Sequence, residues 1–106
     1  MLRRRADFEA IGRGGTARAT RLLVLRGLRT DRGETRVGLS TPRTLGGAVQ
    51  RNRVRRRLRE LVRARLEVIG PGWDLLLIAR PAAGEATQAE LGAALDALLA
   101  RLGIGR

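Results

Sequence analysis

The side chains with the most definite chemistry in this sequence are arginines, eight of which lie between residues 51 and 65. All 22 basic residues of the chain are arginine, and against ten acidic residues they give a formal charge of +12. A guanidinium group pairs with phosphate through two hydrogen bonds and stacks on bases, so nucleic acid is the first expected ligand and an anionic membrane surface the second. Coding bias in a GC-rich genome explains the absence of lysine most simply, and it is compatible with phosphate binding.

Residues that commonly catalyse reactions are missing. The chain has no histidine, cysteine or tyrosine, which removes the commonest general base, the thiolate nucleophile and cysteine-bound metals. Its ten carboxylates form no metal-binding pattern, and neither a GxxxxGKS/T nor a GxGxxG phosphate loop is present. We therefore assign no catalytic residue and no metal ligand to this chain.

A helix over residues 45–69 must position the arginines. Apolar residues recur there at the spacing of one helical face, and they are Val54, Leu58, Leu61, Val62, Leu66 and Ile69. The opposite face must meet water or a polyanion, since it carries Asn52, Arg56, Arg59 and Arg63. Arg51 and Arg55 project near the apolar face, where an unpaired guanidinium is costly to bury. We expect the first turns to overhang the core and to leave both arginines free to reach a ligand.

Strand patterns precede and follow this helix. Residues 17–28 and 34–40 alternate around a turn at 30–33, and we interpret them as a hairpin. Residues 73–79 are apolar at both alternating sets of positions, which predicts a central strand covered on both faces.

Two further helices complete the predicted order. Thr87 and Glu90 have the spacing of a capping box that opens a leucine-rich last helix, and a short helix over 5–13 contains Phe8. The order is α-β-β-α-β-α, with a further strand within or beside 17–28. It predicts a single domain of the α+β class, a two-layer α/β sandwich.

The sequence features around the arginine helix narrow the range of its possible ligands. A helix that reads the DNA major groove normally has a dimer or helix-turn-helix partner, and neither is visible. No apolar run could span a membrane, and the apolar face of the helix is needed for the core. A merely solvated charged face is less well supported, because the helix has two acids against eight arginines. We expect RNA, no membrane contact and, because the N-terminus is not a secretory signal, a cytoplasmic protein.

A motif in the helix resembles a known family. The motif is Arg51-Asn52-Arg53, Val54-Arg55-Arg56 and Leu58-Arg59-Glu60, preceded by Gly46-Gly47-Ala48-Val49. It closely resembles the signature of the bacterial ribonuclease P protein subunit. Similar segments surround Phe8 and cover residues 36–40 and 77–81, so the resemblance extends over nearly the whole chain.

The resemblance implies a fold, an assembly and two sets of contacts. The fold would have a left-handed βαβ crossover (ribosomal protein S5 domain 2-like), against the usual right-handed rule. One protein would join one large catalytic RNA, which carries the active site and its bound Mg²⁺ and removes the 5′ leader of precursor tRNA. The contacts with the catalytic RNA would come from Arg51, Asn52, Arg53, Arg55, Arg56 and Arg59. The cleft for the single-stranded leader would include Phe8, Val24, Arg26, Ser40, Arg43 and Arg80.

The sequence departs from the family pattern in the cleft. Gly12 and Arg26 stand where aromatic residues are expected, so leader binding would rely less on base stacking and more on guanidinium groups. A structural RNA-binding protein of the ribosome type is the alternative, because it would use the same charge without promoting a reaction. A protein-only nuclease is disfavoured by the missing histidine and the scattered carboxylates.

Overall fold

The computed structural model describes residues 14–104, which contain four strands and two α-helices. The strands are β1 (Thr16–Ala19), β2 (Leu23–Arg29), β3 (Arg36–Ser40) and β4 (Trp73–Ala79), and the helices are α1 (Ala48–Ile69) and α2 (Gln88–Arg101). Short 3₁₀ turns at Arg43–Leu45 and Pro81–Glu85 precede the two helices. The helix predicted over residues 5–13, and Phe8 with it, lies outside the described residues.

The described strands form one mixed sheet in the order β1-β2-β4-β3. β2 is antiparallel to β1 and to β4, whereas β3 is parallel to β4. The predicted hairpin between 17–28 and 34–40 is therefore wrong, because β4 lies between the two strands. Their connection hydrogen-bonds to the entry of β4, where Thr30 N–H donates to the Gly72 carbonyl at 2.8 Å and Gly72 N–H donates to the Glu34 carbonyl at 3.2 Å.

The further strand expected within or beside 17–28 is confirmed as β1. A turn at residues 20–22 separates it from β2, and Thr20 Oγ1 accepts hydrogen bonds of 3.2 Å from the backbone N–H groups of Leu22 and Leu23. The threonine side chain thus reverses the chain inside what reads as one continuous strand pattern. β1 and β2 are the hairpin of this sheet.

One face of the sheet carries the core. Leu23 and Leu25 of β2 and Leu75 and Leu77 of β4 are fully buried there against both helices. The other face is less covered, since Leu76 and Ile78 are only half-buried. The predicted central position of β4 is confirmed, because it lies between β2 and β3. Among the described residues only one of its faces is covered by helices, since α1 and α2 pack on the same side, and coverage of the second face stays a prediction. The two-layer α+β arrangement is confirmed.

Helix α1 connects the parallel strands β3 and β4, which makes the expected βαβ crossover. The left-handedness of this crossover stays a prediction. Five of the six apolar positions predicted for its inner face are buried, with Val54 and Leu58 almost completely enclosed. Leu66 is the exception, because 44% of its surface is exposed.

Helix α2 begins with the predicted capping box. Thr87 Oγ1 accepts from the backbone N–H of Glu90 at 3.1 Å, and Glu90 Oε1 accepts from the backbone N–H of Thr87 at 2.8 Å. The backbone hydrogen bond from Thr87 lowers the pKa of Glu90. Both bonds satisfy N–H groups that a helix start would otherwise leave unpaired.

Candidate nucleic-acid interface

The outward side of α1 is a continuous polar surface, here called the arginine face. It consists of Asn52, Arg53, Arg56, Arg59 and Arg63, and all five side chains are exposed. Residues 14–104 provide no acidic partner for any of the four arginines in this set. Guanidinium groups without internal partners keep their N–H donors for an external anion. Phosphate suits them well, because its oxygens accept two parallel hydrogen bonds from one guanidinium.

Arg51 and Arg55 lie in the first turns of α1 and are held by the end of β3. Arg51 Nε donates to the Thr41 carbonyl at 2.8 Å, and Arg55 Nη2 donates to Thr41 Oγ1 at 2.6 Å. Arg55 Nη1 also donates to Asn52 Oδ1 at 3.3 Å. The expectation that both side chains are free is therefore wrong: buried Thr41 supplies acceptors that anchor them beside the sheet. Both arginines are only half-buried, and each guanidinium retains further N–H donors that are not used in these bonds.

Arg57 fastens the middle of α1 to the start of α2. Its Nη1 donates to the Ala86 carbonyl at 3.2 Å, while Gln88 Nε2 donates to the Arg57 carbonyl at the same distance. These bonds fix the direction of α1 relative to the core. The arginine face is therefore presented by a helix that is tied at both its first turns and its middle.

The side of the sheet opposite the helices, here called the open face, gathers three of the predicted cleft residues. Val24 and Ser40 flank Ile78 in one row across the sheet, and Arg26 is paired with Leu76 in the next row. All five are half-buried. Leu76 and Ile78 were not among the predicted site residues. The signal that could have found them is that β4 is apolar at both alternating sets of positions, which places apolar side chains on the open face as well as in the core.

Arg43 and Arg80 lie at the ends of the elements that border the open face. Exposed Arg43 opens the 3₁₀ turn after β3 and lines a 590 Å³ cavity together with Ser40, Arg51 and Arg55. This cavity joins predicted leader contacts to predicted contacts with the catalytic RNA. Arg80 follows β4, where its Nη1 donates to the Thr20 carbonyl at 3.0 Å. Phe8, the sixth predicted cleft residue, lies outside the described range.

A buried carboxylate closes the far end of the open face. Asp74 contacts Arg32, and it receives two hydrogen bonds from Arg36, from Nε at 3.1 Å and from Nη2 at 2.9 Å. Burial alone would raise the pKa of Asp74, but the hydrogen bonds and charges of the two arginines outweigh it, so the pKa lies below its ordinary value of 3.8. This acid is therefore occupied by cations of its own chain.

The described part of the chain has neither a cluster of metal-binding side chains nor a membrane-spanning helix. No three acidic side chains in residues 14–104 lie close enough to share a metal ion. No helix in the same range is both long and apolar enough to cross a bilayer.

Comparison with known proteins identifies the family. The family model for Ribonuclease P matches residues 1–103. The chain belongs to the ribonuclease P protein family. The ribonuclease P protein component of Acidothermus cellulolyticus is 48% identical over 103 residues, which cover 95% of this chain and 86% of that relative.

Solved structures of ribonuclease P proteins share the fold. The Staphylococcus aureus RNase P protein gives a TM-score of 0.90 at 27% identity, with 99% of this chain and 96% of that chain covered. The Thermotoga maritima RNase P protein gives a TM-score of 0.85 at 29% identity, with 94% of each chain covered. Proteins of this family are the protein component of an RNA–protein endoribonuclease that processes the 5′ leader of tRNA, and the family implies ribonuclease P RNA as the partner.

Proposed function

We propose that this protein binds ribonuclease P RNA through the arginine face and the first turns of α1. The contacts would come from Arg51, Asn52, Arg53, Arg55, Arg56 and Arg59. The observation that carries the proposal is the set of exposed guanidiniums, Arg53, Arg56 and Arg59, which have no acidic partner within residues 14–104. Arg51 and Arg55 contribute differently, because Thr41 already orients them and less conformational freedom is lost when they bind.

The 5′ leader of precursor tRNA would lie on the open face and enter the cavity beside Ser40 and Arg43. Val24 and its half-buried neighbours offer apolar surface to bases, while Arg26 and Arg80 offer charge to the leader phosphates. The shared cavity supports this proposal, because it lets a single strand on the open face continue toward the arginines of α1. One protein per catalytic RNA is the proposed stoichiometry.

The proposed catalytic group is Mg²⁺ held by the RNA. The described part of the protein is a poor fit for that ion, since its one buried carboxylate, Asp74, is engaged by Arg32 and Arg36. Mg²⁺ prefers oxygen ligands, typically one or two carboxylates together with phosphates and several waters. The chemical contribution of this chain is thus to neutralise phosphate charge and to hold the precursor in register on the RNA.

The test is cleavage of a precursor tRNA at low Mg²⁺ by a bacterial ribonuclease P RNA, measured with and without this protein and for the protein alone. Efficient cleavage is expected only for the mixture, because the protein supplies positive charge that Mg²⁺ otherwise provides. The 5′ end of the product should be that of mature tRNA. Binding to the RNA without any change in rate or in preference for precursor would instead favour a structural RNA-binding protein.

A further inference from the structure

A groove lies between β3 and α1, beside the arginine face. Its floor is mostly aliphatic, and Arg59 and Arg63 stand at its rim. The other lining residues are Thr35, Val37, Leu39, Val62 and Leu66. The cavity volume is 260 Å³, several times the roughly 30 Å³ that one water molecule occupies in the liquid. The space is therefore large enough for a planar ring system.

The groove lies mainly on the side of the sheet opposite the open face. Val37 and Leu39 of β3 stand opposite Leu75 and Leu77 of β4, on the side of the sheet that packs against the helices. Ser40 belongs to the other side. Leu39 also lines the 590 Å³ cavity, so the two spaces adjoin at the end of β3. The other groove residues lie on the helix side of the sheet, whereas the proposed leader path runs on the open face, so the leader is the poorer match for the groove.

The groove is continuous with the arginine face instead. Arg56, Arg59 and Arg63 follow one another at helical spacing, and the last two of them border the groove. Both rim arginines are exposed and have no acidic partner in residues 14–104. An RNA backbone that follows the arginine face therefore arrives at the groove with its phosphates already in contact with guanidinium groups.

The edge of the sheet adds hydrogen-bonding capacity. β3 is an edge strand among the described strands, so the backbone N–H and C=O groups on its outer side are not paired within the sheet. A nucleobase combines a flat apolar surface with polar groups along its rim. It would bury that surface on the aliphatic floor, stack against a guanidinium and meet the backbone groups of β3.

We propose that this groove receives an unpaired nucleobase of the ribonuclease P RNA, with Arg59 and Arg63 binding the flanking phosphates. The proposal rests on the proposed function, because it takes that RNA as the partner. It adds Leu66 to the RNA-binding surface, gives Arg63 of the arginine face a definite contact, and assigns a role to a leucine in the apolar stripe of α1 that is 44% exposed.

The test compares two substitutions of equal charge on the same helix. Leu66→Glu places a carboxylate at the groove, whereas Val68→Glu places one outside it at a residue that is 59% exposed. Binding to a bacterial ribonuclease P RNA would be measured together with chemical modification of the base edges of the RNA. We expect wild type and Val68→Glu to protect one unpaired base. Leu66→Glu should re-expose that base and bind about tenfold more weakly, within the range for one stacked base.

Arg63→Ala provides a second variant that leaves the apolar floor intact. It should flatten the salt dependence of binding and weaken protection of the same base, since a flanking phosphate loses its partner. Protection that survives Leu66→Glu would overturn the proposal, as would protection of a leader base in the precursor instead. Stimulation of precursor cleavage by the wild-type protein is measured in a separate assay. If the protein stimulates cleavage but protects no base of the catalytic RNA, the groove assignment fails and the proposed function stands. If the protein does not stimulate cleavage, the proposed function itself fails.

Discussion

The buried hydroxyl of Thr41 accepts a hydrogen bond of 2.6 Å from Nη2 of Arg55. This contact links the end of β3 to the first turns of α1, and the carbonyl of the same threonine holds Arg51. Two arginines that would otherwise sample many conformations are thereby fixed beside the 590 Å³ cavity. A single residue that carries no charge thus organises the junction between the proposed RNA and leader contacts.

Thr41→Val should lower the free energy of unfolding by about 1 kcal/mol, because Arg55 loses a charge-assisted hydrogen bond on a partly exposed side chain. Urea unfolding followed by the fluorescence of Trp73, the only tryptophan, would measure the change. Thr44→Val is the matched control, since Thr44 is exposed in the following 3₁₀ turn. Equal effects of the two substitutions would show that the hydroxyl of Thr41 contributes nothing specific.

Asp74→Asn should destabilise the fold at neutral pH by about 2 kcal/mol, since it removes the anion that Arg32 and Arg36 contact. The pKa of Asp74 is lower in the folded chain than its ordinary 3.8, so its carboxylate adds stability above about pH 4. That contribution is lost as the pH falls through the folded pKa. The difference between wild type and variant should therefore shrink below about pH 4 in thermal unfolding.

Asp31→Asn is the control for this pH dependence, because Asp31 is exposed in the turn between β2 and β3. It removes the same charge without touching the buried ion pairs. A stability difference between wild type and Asp74→Asn that stays constant from neutral to strongly acidic pH would contradict the assignment of the carboxylate as the stabilising form.

The periodic elements of this fold were predictable from sequence, whereas their order in the sheet was not. The spacing of apolar residues is a local property, and it predicts α1, β4 and the capped helix α2. Strand pairing is a competition between distant segments. The turn at 30–33 resembles that of a hairpin, yet the backbone groups of Thr30 and Glu34 form hydrogen bonds with Gly72 instead of with each other. β4, which follows Gly72, therefore lies between the two strands.

The same distinction applies to the candidate site. The exposure of Arg56 and Arg59 follows from helical periodicity, because they lie opposite the apolar stripe. The anchoring of Arg51 and Arg55 could not be predicted in this way, because their acceptor, Thr41, belongs to a different element. Periodicity identifies which side chains avoid the core, but only the tertiary contacts show which of them the protein itself holds.

Arg56→Ala should weaken binding to ribonuclease P RNA and lower the slope of log affinity against log salt by about 0.7–0.9, as expected for one lost phosphate contact. The side chain is exposed and has no acidic partner in residues 14–104, so the stability of the fold should not change. Binding would be measured over a series of salt concentrations. Arg18→Ala is the control, because Arg18 is exposed on β1, at the sheet edge away from β3. An unchanged slope for Arg56→Ala would remove this residue from the interface.

Arg26→Ala should weaken binding of precursor tRNA by the assembled enzyme, about fivefold or more, without altering binding of mature tRNA, because only the precursor has a leader on the open face. Arg26 is half-buried and paired with Leu76, so it can lie along a base or a phosphate of the leader. Arg101→Ala is the matched control, since α2 packs against the opposite side of the sheet. Competition binding with precursors of different leader length would locate the contact. An equal loss for precursor and mature tRNA would mean that Arg26 acts on the body of the tRNA or on the catalytic RNA, and the open face would no longer be the place of the leader.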